Sequence, residues 1–116
     1  MKAAHRIGLA VALAAAFGAS AMAHAKLVGF TQPADAPGKI DLTFSEDIAG
    51  KLSGVAVTDT SGATLPASAM LDPHNAKHLA VTLRSPPKAG VYRVAWHAVA
   101  SDDGHRTTGT FSFTVK

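Results

Sequence analysis

After the first two dozen residues, apolar and polar positions alternate in short blocks separated by Pro, Gly, Asp and Ser, the pattern of strands with one buried face. Residues 38–44 (GKIDLTF) turn Ile40, Leu42 and Phe44 to one side, and residues 54–59 (GVAVTD) do the same with Val55 and Val57. Residues 78–84 (HLAVTLR) align Leu79, Val81 and Leu83. In residues 90–99 (GVYRVAWHAV) two faces compete, and Tyr92, Val94, Trp96 and Ala98 make the better core face than Val91, Arg93, Ala95, His97 and Val99. Residues 107–115 place Gly109, Phe111, Phe113 and Val115 on one side, while residues 26–30 form an edge strand. Turn formers cluster at 33–38, 59–62, 72–77, 85–90 and 101–104, and no helical periodicity stands out. Strands this short and this many leave no room for crossover helices. They predict an antiparallel sandwich or a small Greek-key barrel, with an all-β, immunoglobulin-like sandwich of about seven strands as the better fit. Trp96 then belongs in the core between the sheets.

The first residues have another character. Lys2 and Arg6 precede an apolar run at 7–17 (IGLAVALAAAF), which is shorter than the roughly 20 residues of a membrane span. Ala21-Met22-Ala23 supplies a small-residue cleavage site. Residues 1–23 are therefore expected to be a removed signal peptide, an uncleaved anchor being the alternative, and residues 24–116 to form one exported domain. In a bacterium that means the periplasm or the medium. Cleavage changes the charge picture: the mature 93 residues hold nine Lys and Arg against eight Asp and Glu, a net charge of +1 that predicts no nucleic-acid partner. The chain has no cysteine, which excludes thiolate chemistry and disulfides and leaves packing, with or without a bound ion, to stabilise a small domain.

Cleavage after Ala23 also makes His24 the first residue. A free amine and the imidazole of the same residue can close a chelate ring around a cation, which an internal histidine cannot do because its nitrogen is an amide. Far along the sequence, residues 101–105 (SDDGH) form a turn between the two most convincing strands, and Gly104 can tighten it by adopting positive φ. Asp103 and His105, two apart around that glycine, can turn an oxygen and a nitrogen toward one point. An edge strand starting at His24 can bring the terminus to the same end of a sandwich. Three nitrogens and one oxygen suit tetragonal Cu(II), with zinc as the main competitor. Protons compete for every one of these donors, so metal affinity should fall steeply below about pH 6.

These residues carry a resemblance. His24 followed by Leu27, then Leu42-Thr43-Phe44-Ser45-Glu46, Tyr92-x-Val94-x-Trp96, Ser101-x-Asp103-Gly104-His105, Gly109 and Phe111-x-Phe113-x-Val115 are similar to the CopC copper-resistance family of periplasmic copper-binding proteins. The resemblance spans nearly all of residues 24–116. It implies a Greek-key β-sandwich with a high-affinity site for one Cu(II) ion per chain, held by His24, Asp103 and His105. Glu46 matches a family glutamate near that site and is read as a hydrogen-bond acceptor for a ligand rather than a ligand itself. Some members also hold Cu(I) in a methionine-rich loop. Here residues 63–79 occupy that region and Met70 is the only methionine after residue 23, so Met70 is read as core filling and no tight Cu(I) site is expected.

The remaining candidates have plainer readings. His74 and His78 are expected as a surface pair on a loop leading into a strand, His97 as a partly exposed strand residue, and Asp102 as a turn-forming or solvated carboxylate. The function that follows is a monomeric copper carrier or buffer, handing its ion to a CopD-like inner-membrane copper transporter or another periplasmic copper protein. A copper-dependent oxidative enzyme with a terminal-histidine site is the alternative. It fits less well, because Asp103 would fill the position where oxygen must bind and so small a domain offers little surface for an extended substrate. A plain adhesion or structural sandwich is the third reading.

Overall fold

The alternating blocks become eight strands: β1 (Leu27–Thr31), β2 (Lys39–Phe44), β3 (Gly54–Asp59), β4 (Thr64–Leu65), β5 (Ala67–Asp72), β6 (Asn75–Leu83), β7 (Gly90–Val99) and β8 (Arg106–Val115). They are seen in a computed structural model that describes residues 24–116; the proposed signal peptide, residues 1–23, lies outside the described residues. One sheet has the order β1-β2-β6-β5 and the other β4-β3-β7-β8, and every paired neighbour is antiparallel. The chain changes sheet after β2, β4 and β6, so β2 pairs with β6 and β3 with β7 across long sequence gaps, the over-and-back connectivity of a Greek-key sandwich.

The inward faces are the ones the alternation selects. Ile40, Leu42 and Phe44 of β2 and Leu79, Val81 and Leu83 of β6 meet Val57 of β3, Tyr92, Val94, Trp96 and Ala98 of β7, and Phe113 and Val115 of β8. Burying each such Val, Leu, Ile or Phe contributes roughly 1.5–3 kcal/mol before the entropy of ordering is subtracted. Among the described residues no buried side chain is polar or charged. Trp96 sits between the sheets as expected, edge-on to Phe44 with ring centroids 5.4 Å apart. The only helical segment among the described residues is one 3-10 turn, Gly50–Leu52.

Besides the two-residue strand β4, which the alternation did not mark and which helps bring the strands to eight instead of about seven, three details differ from expectation. Strand β5 had no clear signal: it is an edge strand in which Leu71, opposite Leu79, packs against the core. Because side chains alternate, its neighbour Met70 points outward and is 72% exposed, so Met70 does not fill the core. The β5–β6 turn is also tighter than residues 72–77; it is closed at Pro73 and His74, with the His74 amide donating to Asp72 Oδ1 at 2.8 Å, and β6 begins at Asn75. Third, β1 is the expected edge strand but is displaced by one residue, and its register shifts between Leu27 and Gly29.

Candidate metal centre

Residues 24–26 and the β7–β8 loop meet at one end of the sandwich. The β7–β8 loop is braced from inside: the Ala100 amide donates to the His105 carbonyl and the Gly104 amide to the Ala100 carbonyl, each at 3.0 Å. The His105 amide donates to Asp103 Oδ1, also at 3.0 Å. Gly104 has φ +70, the left-handed geometry that a glycine adopts without penalty. The loop is tied to the segment after β2, since the Ser101 amide donates to the Asp47 carbonyl at 2.9 Å and Ile48 bridges to Ala100.

The N-terminal arm, residues 24–26, is held from both sheets. On the β2 side Ser45 accepts from the Lys26 amide through Oγ at 3.0 Å and returns its own amide to the Lys26 carbonyl at 2.8 Å. Its hydroxyl also faces the His24 carbonyl at 3.5 Å. On the β8 side Thr107 Oγ1 donates to the Ala25 carbonyl at 2.6 Å, and Ala25 itself is fully buried. The His24 ring lies on that of His105, with centroids 3.6 Å apart and planes within 5° of parallel.

Two imidazoles in contact beside a carboxylate-bearing turn are the donor types that divalent copper and zinc take. In the stacked arrangement, however, the ring nitrogens lie in two parallel planes, and lone pairs in parallel planes do not meet at one ion. One oxygen of Asp103 already braces the loop. Accordingly, among the described residues no three His, Asp or Glu side chains converge with the geometry of a metal site. For both rings to reach one ion, one of them would have to swing out of the stack. Glu46 follows Ser45 and is half-buried. The structure thus brings His24 and His105 together, with Asp103 in the same loop and Glu46 next to the residue that grips the arm.

The other histidines and Asp102 stand apart. Asp102 and His74 are exposed, and His97 is half-buried on the outer face of β7, its ring beside Gly54. His78 is not a free surface partner of His74: it lies on β6 between Asp41 and Asp72, at 3.7 and 3.6 Å from their carboxylates. Sequence reasoning passed over Ser45 and Thr107 as parts of the site. Thr107 did leave a trace, because it continues the inward-facing series of Gly109, Phe111, Phe113 and Val115 as a polar residue.

The CopC domain family matches residues 29–116. Copper resistance protein C of Escherichia coli is 42% identical over 108 residues, covering 84% of this chain and 85% of that protein. Its namesake in Pseudomonas syringae pv. tomato is 39% identical over 112 residues, again with 84% and 85% covered. Among solved structures, PcoC, described as a methionine-rich copper resistance protein from Escherichia coli, superposes with a TM-score of 0.70 at 38% identity, covering 80% of this chain and 99% of that one. CopC from Methylosinus trichosporium OB3b shares the fold, with a TM-score of 0.71 at 23% identity over 80% of this chain and 94% of that one. With the family match covering most of its length and relatives near 40% identity beside it, the chain belongs to the CopC domain family.

Proposed function

We propose that this chain, once residues 1–23 are removed, is a periplasmic Cu(II)-binding protein of copper resistance or homeostasis that carries or buffers one ion. Copper is its cargo. The ligands are the amine and imidazole of His24, the imidazole of His105 and a carboxylate oxygen of Asp103, with Glu46 accepting a hydrogen bond at the edge of the set. The observation that carries the reading is the His24–His105 contact, made by a residue that becomes a bidentate donor only if the chain is cut before it. The names of the relatives, copper resistance protein C, support the choice of metal.

The protein binds rather than catalyses in this reading, because three protein nitrogens and one oxygen complete the equatorial set of Cu(II). It acts as a monomer and passes its ion to a CopD-like membrane transporter or another periplasmic copper protein. A Cu(I) site is not part of the proposal: the PcoC structure is described as methionine rich, whereas this chain keeps only Met70 beyond residue 23. Electron paramagnetic resonance of Cu(II) bound to protein whose first residue is verified by mass spectrometry tests the ligand set. Coupling to three nitrogens is expected, and a spectrum with fewer, or an N-terminus other than His24, would overturn it.

A further inference from the structure

We propose that Thr107 is the positioning residue of this metal centre, a hydroxyl latch that presents His24 to His105; the inference rests on the copper-binding reading above. Thr107 occupies an inward position near the start of β8, where Gly109, Phe111, Phe113 and Val115 continue the series with apolar or absent side chains. A hydroxyl has one proton to donate. It is 2.6 Å from the Ala25 carbonyl and 3.4 Å from that of Ala98, its partner across the β7–β8 ladder, so the proton goes to Ala25. The accepting carbonyl belongs to the residue directly after His24, and the donor lies two positions after His105. One short bond therefore joins the immediate neighbourhoods of both imidazoles.

The rest of the arm's anchoring reaches the opposite sheet. Ser45 follows β2 and grips Lys26 through two bonds, with a longer approach to the His24 carbonyl. Beyond Lys26, β1 holds only an edge position and its register shifts between Leu27 and Gly29. Ser45 thus fixes the arm to β1-β2-β6-β5, but His105 rises from the other sheet. Thr107 is the hydrogen-bonding side chain that ties the arm to the His105 side. A partner that orients a ligand without touching the metal typically accounts for 10- to 100-fold in affinity.

The test uses the cleaved protein starting at His24, with Thr107→Val, which keeps the shape and removes the hydroxyl, and Thr107→Ser, which restores it. In metal-free protein, nuclear Overhauser contacts between the His24 and His105 rings are expected in wild type and Thr107→Ser and lost in Thr107→Val, while signals from the β3–β7 ladder stay in place. Cu(II) affinity is expected to drop about 10- to 100-fold in Thr107→Val and to recover in Thr107→Ser. Retention of the ring contacts and of wild-type affinity in Thr107→Val overturns the latch, as does a Thr107→Ser variant as defective as Thr107→Val. Should wild-type protein bind no Cu(II), the copper reading fails, and the metal-free ring contacts still judge whether Thr107 sets the position of His24.

Discussion

Gly109 and Trp96 face each other across β7 and β8 so closely that a Cβ on Gly109 would lie 2.5 Å from indole Cζ2 and 2.7 Å from Cε2. The glycine is there for space: the indole lies against bare backbone and fills the gap between the sheets. Gly109→Ala forces the largest core side chain off its seat, and overpacking of this kind costs about 1–3 kcal/mol. For a domain of this size that is roughly 4–8 °C of melting temperature per kcal/mol. Thermal unfolding followed by circular dichroism checks it, and an unchanged midpoint would mean that the indole has a second place to rest.

That pair also shows what the sequence made legible. The alternation in residues 90–99 put Trp96 inward, the series from Gly109 to Val115 put Gly109 on the same side of β8, and both placements hold. Strongly alternating strands can be read because half their side chains enter the core. Strand β5 was missed for the converse reason, since its outward residues carry no pattern and Leu71 packs inward against Leu79. The meeting of His24 and His105 followed from an edge strand and a turn at the same end of a sandwich. The stacking of their rings did not, because it depends on hydrogen bonds from Ser45 and Thr107 that no periodicity records.

Processing is expected to act as the on-switch for metal binding. Protein retaining even one residue before His24 has an amide where the chelate needs an amine, so its Cu(II) affinity should fall by more than the 10- to 100-fold of a lost orienting partner. The fold should be untouched. Competition titration against a chelator, with circular dichroism alongside, separates the two effects; equal affinity for cleaved and extended forms would exclude the amine as a ligand.

Removing an imidazole should tell the histidines apart. His105→Ala is expected to weaken Cu(II) binding and to reduce the nitrogen coupling in the paramagnetic spectrum, whereas His74→Ala, altered at an exposed turn, should leave both unchanged. A matching loss in the two variants would place the ion somewhere other than the β7–β8 loop.

The cuprous ion should find no strong site. Thioethers suit Cu(I), but Met70 is the sole methionine beyond residue 23 and projects from the outer face of an edge strand. Titration of the cleaved protein with Cu(I) under a competing ligand should show no stoichiometric uptake, and Met70→Leu should change nothing.

The β3–β4 turn carries an acid-sensitive brace. Asp59 Oδ1 accepts from the Ser61 hydroxyl at 2.7 Å, the Ser61 amide at 2.9 Å and the Ala63 amide at 3.0 Å. The Ser61 hydroxyl foremost, then the Ala63 amide, holds its carboxyl below the ordinary value of 3.8. A carboxyl depressed on folding stabilises the protein above its unfolded value, and that contribution disappears as pH falls through the folded one. Asp59→Asn should therefore be less stable than wild type near neutral pH, with the gap closing in strong acid. Melting temperatures compared across that range check the sign.

The cysteine-free sandwich has no disulfide between its layers, yet its N-terminal arm is hydrogen-bonded to Ser45 on one and Thr107 on the other. An ion seated at the tip of that arm and on His105 would work as a removable rivet, adding its binding energy to the folded state alone. Loaded and empty protein would then differ in toughness as well as in cargo, and a protease or heat would spare the molecules that hold copper.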